Sequence, residues 1–301
     1  MAVVQRKLKV ENAVALIFSL HRWGNRKSVD NKALKLDKEG ADKNLFNLTK
    51  NLIDPKGEIR EVKLFMWTEV KSWIIRQSVP SFFQDGVYLF NIRQVEEVET
   101  FLRGKEEELR GKVEAFLKIY PQKIKDVEKR LGEHFNPADY PTVKELRNRF
   151  RFSWQWVEFE VPKGLPNKIF QAEKKKAEAM WSSAAEMIAQ TLREAFRKLV
   201  AHAAEVLETD SEGRTKKFKD ATFENITEFI NTFKNRNLTN DSELETLVKK
   251  AQEVMKRIDD PQDLKRDVDM RKVVEKQFKG ITKTLDKMIE IKPRRKFSFD
   301  D

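Results

Sequence analysis

Two long stretches of this chain repeat apolar residues every three or four positions. The first runs through Val95, Val98, Leu102, Leu109, Val113, Phe116, Tyr120, Ile124, Val127, Leu131 and Phe135. The second, Ile169 to Leu207, carries Ala177, Trp181, Ala184, Ile188, Leu192, Ala195, Leu199, Ala203 and Val206. Such intervals put one apolar stripe along a helix, with the heptad-like spacing of a coiled-coil seam. At 1.5 Å per residue each helix reaches roughly 60 Å, more than a small core covers, so each stripe predicts the other as its partner. The pattern therefore predicts a long antiparallel helical, coiled-coil hairpin over 94–208 with its tip at 136–167. Asn91 and Gln94 have the spacing of a capping box at its start, and Pro121 predicts a kink.

Shorter runs predict strands. Ala13 to Leu20 suits a strand covered on both faces, and Gly86-Val-Tyr-Leu-Phe90 a second. In Arg151-Phe-Ser-Trp-Gln-Trp-Val-Glu-Phe-Glu-Val-Pro162 the alternation slips: Phe152, Trp154 and Trp156 have one parity, Val157, Phe159 and Val161 the other. A bulge at Trp156-Val157 would bring both sets to one side. Helical spacing is read at Leu45–Ile53, Ile59–Gln77, Ala221–Lys234, Asp241–Ile258 and Pro261–Ile289. The expected fold is mainly α: the hairpin, a small β element near its tip or base, and packed N- and C-terminal helices. The divisions are 1–93 (α/β), 94–208 (hairpin), 209–292 (helical) and a tail, 293–301.

Composition agrees with much exposed helix. Of 301 residues, 40% are hydrophobic and 36% charged, with only 10 Gly and 9 Pro. The absence of cysteine excludes disulfides and thiolate chemistry and fits a reducing compartment. The first residues lack a signal-peptide cleavage site, and the run from Ala13 to Phe18 is too short to span a membrane; a cytoplasmic protein is expected. The net charge of +11 favours polyanions, yet acids and bases are interleaved along the helices as on solvated faces.

Little enzyme chemistry is legible. Trp23-Gly-Asn-Arg-Lys-Ser28 lacks phosphate-loop spacing, the three histidines (His21, His134, His202) form no metal-binding pair, and no serine sits on a nucleophile elbow. No catalytic, metal or cofactor residue is assigned, and a non-enzymatic protein is expected. Candidate partner or nucleic-acid contacts are Arg147, Arg149, Arg151, Trp154 and Trp156, because cations pair with phosphates while aromatic rings stack on bases. Lys174, Lys175 and Lys176, and Arg294 and Arg295 in the tail, are further basic candidates. Two readings follow: a protein-interaction or assembly factor, self-association included, or a nucleic-acid-binding protein using basic helix faces and the aromatic tip.

Lys217-Phe-Lys-Asp-Ala-Thr-Phe-Glu-Asn-Ile-Thr-Glu-Phe-Ile230 and Arg236-Asn-Leu-Thr-Asn-Asp241 resemble the C-terminal signature of the phage and bacterial family called domain of unknown function 3150. His21-Arg-Trp23 and Val79-Pro-Ser-Phe-Phe-Gln-Asp-Gly-Val-Tyr88 extend the resemblance. It implies no catalytic residues; it implies an accessory role beside a MoxR-like AAA+ ATPase. Physically, Asn240 or Asp241 can cap a helix beginning near Ser242, with Glu243 and Glu245 at its positive end.

Overall fold

The computed structural model describes residues 10, 12–29, 48–80, 85–158, 163–208, 216, 218–258, 260–265 and 267–290. The chain is mainly helical around one small antiparallel sheet. Four strands, β1 (Ala13–His21), β4 (Val79–Pro80), β5 (Val87–Asn91) and β6 (Arg151–Val157), lie in the order β4-β5-β1-β6. A separate two-stranded ribbon pairs β2 (Arg26–Ser28) with β3 (Thr49–Asn51). Thr49–Asn51 is thus extended where helical spacing was read. Its partner β2 and the buried Asn25 side chain, bonded to both the N–H and the carbonyl of Ile53, supply the reason.

Each face of the four-stranded sheet floors its own apolar core. Val14, Leu16, Phe18, Tyr88, Phe90 and Phe152 point to the first. They meet a helix running from Glu58 to Gln77, helix α3 (Val95–Leu131) and the short α4 (Val143–Arg147). Ala15, Val79, Val87 and Leu89 point to the second, covered by α5 (Asn167–Leu207), α6 (Ala221–Arg236), α7 (Ser242–Met255) and α8 (Val268–Glu290). Period-two alternation in β1 and β5 divides the two cores.

Both long helices exist, and α3 starts at the capping box formed by Asn91 and Gln94. Their stripes nevertheless do not meet. Val98, Leu102, Leu109, Val113, Phe116, Tyr120 and Val127 belong to the first core; Ile188, Leu192, Phe196, Val200, Ala203 and Leu207 belong to the second. Among the described residues α5 packs mainly along α8, antiparallel to it: Arg197 pairs with Asp286, and Arg193 donates to the carbonyl of Met288. Arg271, 1% exposed, donates from Nε to Leu207 O and from Nη2 to Val206 O, both at 2.8 Å. It caps the carbonyl end of α5, which the macrodipole makes attractive to a cation.

The segment expected at a hairpin tip is folded back. Tyr120 donates to Pro141 O at 3.1 Å, burial pushing its hydroxyl up to about 12, and Phe116 meets Phe150 edge to face. β6 then pairs with β1 along its full length, from Ala15 opposite Val157 to His21 opposite Arg151. That ladder is continuous through Trp156-Val157, so no bulge forms there. A strand must satisfy its backbone groups, and β1 offers an unbroken row of them. Phe159 and Val161 lie outside the described residues.

Candidate functional site

The sheet corner where β1 ends and β6 begins brings together two of the sequence-predicted contacts, Arg149 and Arg151. A capping box on Thr142 and Glu145 starts α4, and buried Leu146 and Phe150 then turn the chain into β6. Strand alternation sends the even-numbered residues of β6 toward α3 and the odd-numbered ones away from it.

On the even side, the indole N–H groups of Trp154 and Trp156 both donate to Glu99 Oε2, at 2.7 and 3.2 Å. Arg103 pairs with the other oxygen at 2.6 Å. The Trp154 bond, with those from Trp156 and Arg103, holds the Glu99 carboxyl below its ordinary value against the opposing effect of burial. Trp154 packs beside Phe152, and Trp156 meets Phe90 edge to face. Both indoles are half-buried with their polar ends taken. They form a wall of the first core, and the base-stacking reading of this stretch is not what the geometry favours.

On the odd side, three pairs directly opposite one another are exposed: Ile17 with Gln155, Ser19 with Ser153 and His21 with Arg151. Next to the last pair lies an open cleft of about 390 Å³ lined by Leu20, His21, Arg22, Asn148, Arg149 and Arg151. Among the described residues no carboxylate lines it. Arg151 donates to the Asn148 carbonyl at 2.8 Å. Beyond the cleft, half-buried Lys63 has its pKa depressed by desolvation and then by the charges of Arg22 and Arg26. The arginines and the tryptophans of β6 therefore stand on opposite faces and do not form one site.

Arg147 belongs to neither group, because its guanidinium forks onto Glu114, with Nη2 to Oε2 at 2.9 Å. Lys174, Lys175 and Lys176 are exposed on the first half of α5, where no residue from Asn167 to Ser183 is buried; Lys176 pairs with Glu173 at 2.7 Å. Arg294 and Arg295 lie outside the described residues.

Periodicity passed over a second surface. The Glu58–Gln77 helix comprises α1 (Glu58–Phe65), a π-helical turn (Met66–Lys71) and α2 (Ser72–Gln77). Ile59, Val62, Met66, Val70 and Ile74 are buried, and Trp73 stacks on Phe101 with ring centroids 3.7 Å apart. The opposite side exposes Leu64 (50%), Trp67 (48%) and Ile75 (40%), with the Lys71 ammonium 4.7 Å from the Trp67 ring centre. The signal available in sequence was the position of these three large apolar residues off the buried stripe.

The motif Arg236–Asp241 is structural. Asp241, buried, accepts the Leu244 N–H as cap of α7 and pairs through Oδ2 with Arg193 Nε of α5 at 2.7 Å. Asn237 holds the Asp241 N–H at 2.9 Å, and Asn240 takes a positive φ of 50°. His134 closes the end of α3, its carbonyl accepting from Lys50, while His202 is exposed on α5. Among the described residues, no group of three or more His, Cys, Asp or Glu side chains is placed to hold a metal ion, and no helix is long and apolar enough to cross a membrane. Comparison of the chain with protein-family models, curated proteins and solved structures gives no match.

Proposed function

We propose that this chain is a non-enzymatic docking protein, an assembly or accessory factor of a phage or bacterial machine. The observation that carries the reading is the apolar face of Leu64, Trp67 and Ile75 around the π-helical turn. Protein interfaces concentrate their energy in a few large side chains, tryptophan above all, set in a polar rim. Here Arg60, Glu61, Thr68 and Arg76 are exposed around the three apolar side chains. A π turn within an α-helix recurs at functional positions, since it rotates the helix face without breaking the helix.

The resemblance to domain of unknown function 3150 supports a MoxR-like AAA+ ATPase as the partner. Calorimetric titration of the purified chain with such an ATPase tests this. The wild type is expected to bind, and Trp67→Glu to weaken binding by more than about tenfold, the effect of losing a central anchor. Its circular dichroism should be unchanged, because Trp67 is exposed. Equal binding by both proteins, or by neither, would remove this face as the docking surface. Solution mass with and without the substitution distinguishes self-association through the same face.

A further inference from the structure

Arg22, Arg149 and Arg151 share a cleft that contains no acid, and none of them forms an ion pair among the described residues. The neighbouring Arg147, by contrast, is paired with Glu114. Three guanidinium groups thus line one strand end. Glu145 lies within electrostatic reach of Arg149, yet among the described residues the cleft itself is lined by cationic and neutral groups, and such a lining attracts a multivalent anion.

The surface leading away from the cleft narrows the class of anion. Ser19, Ser153 and Gln155 are exposed beside His21 and Arg151 on the same sheet face, with Ile17, 39% exposed, at the far end. Along β1 this face runs roughly 14 Å at about 3.4 Å per residue. On these two strands it offers neutral hydrogen-bonding groups and a single apolar side chain, Ile17, little to seat the alternate side chains of a peptide. A polynucleotide supplies what both parts lack: phosphates for the guanidinium groups, which bind them bidentately, and sugar and phosphate oxygens as acceptors for the serines and the glutamine.

We infer that the cleft of His21, Arg22, Arg149 and Arg151, with the open half-face of Ser19, Ser153 and Gln155, binds a single nucleic-acid strand by its phosphodiester backbone. The tryptophans are on the other side of the sheet, and among the described residues this half-face carries one ring, that of His21. Binding is therefore carried by phosphate contacts, indifferent to sequence and steep in salt. The surface is separate from the helix face around Trp67, so the failure of either proposal leaves the other standing.

Fluorescence anisotropy with a labelled single-stranded oligonucleotide, titrated with the full chain over a range of salt, tests it. Three phosphate contacts on a single strand give a slope of log affinity against log salt near about −2. Arg149→Glu with Arg151→Glu should lower affinity by more than about tenfold and flatten the slope by about 1.4, with circular dichroism confirming the fold. Should that pair unfold the chain, Arg22→Gln with Arg149→Gln tests the same cleft without reversing charge. Alanine at Lys174, Lys175 and Lys176 should leave affinity within about twofold, those residues being outside the cleft. The proposal is overturned by no binding at low salt, by equal loss in the lysine variant, or by tighter binding of the duplex. Equal displacement by polyglutamate would overturn it in favour of an acidic protein.

Discussion

The two faces of the sheet differ in how far helices cover them. The face of Leu16, Phe18, Phe90, Phe152, Trp154 and Trp156 is packed along β6, with Trp154 and Trp156 half-buried and bonded to Glu99 at its outer strand. The opposite face is closed at Ala15, Val87 and Leu89 by the C-terminal helices and is open from Ile17 to His21. Adjacent residues of one strand thus serve different ends: even positions of β6 fill a core, and odd positions meet water. The difference teaches that aromatic and basic residues interleaved in sequence are separated by the pleat, so proximity in the chain overstated their cooperation.

The largest expected effect breaks the closed face. Leu16→Ala removes a fully buried side chain and should cost about 3 kcal/mol, measured by urea unfolding. On the half-covered face, Arg271→Met should cost about 2–3 kcal/mol, because the carbonyls of Val206 and Leu207 lose their charged donor inside the protein. Hydrogen exchange in the last turn of α5 should rise with it.

A smaller effect sharpens the account of the tryptophans. Glu99→Gln is expected to cost about 1–2 kcal/mol near neutral pH, and a cycle with Trp154→Phe should show coupling between the two positions. The Glu99 carboxyl is depressed in the folded chain relative to its ordinary 4.5. Its contribution is therefore complete above that value and is lost as the pH falls through the lower folded value. The stability gap between wild type and Glu99→Gln should narrow on acidification over that window; a gap that stays constant would sink the assignment. Smallest of all, Ile17→Ala and Gln155→Ala on the open face should change stability by less than about 1 kcal/mol.

Much of the local structure was legible. The capping box at Asn91 and Gln94, the cap at Asp241 and both long helices follow from short-range chemistry, which the sequence carries within a few residues. The partners of those helices were not. A stripe with heptad-like spacing states that a helix buries one side without stating against what, and two such stripes in one chain suggest each other. Here α8 and the sheet compete successfully for them. β6 is not legible as part of this sheet because its partner, β1, lies far earlier in the chain, and pairing at that distance leaves no periodic trace. The cationic cleft was half legible for the same reason: Arg149 and Arg151 stood together in sequence, but His21 and Arg22 join them only through the β1–β6 register.

The sequence by itself determined where helices and strands run, which of their sides are apolar, and that the chain carries an excess of cations, because propensity, period and charge are properties of neighbouring residues. Tertiary structure alone decided that α3 and α5 serve opposite faces of one sheet, that Glu99 occupies the polar ends of Trp154 and Trp156, and that four cationic or basic side chains meet at one corner. Those outcomes depend on which distant surfaces win each buried stripe, and that contest is settled by packing and backbone pairing across the whole chain.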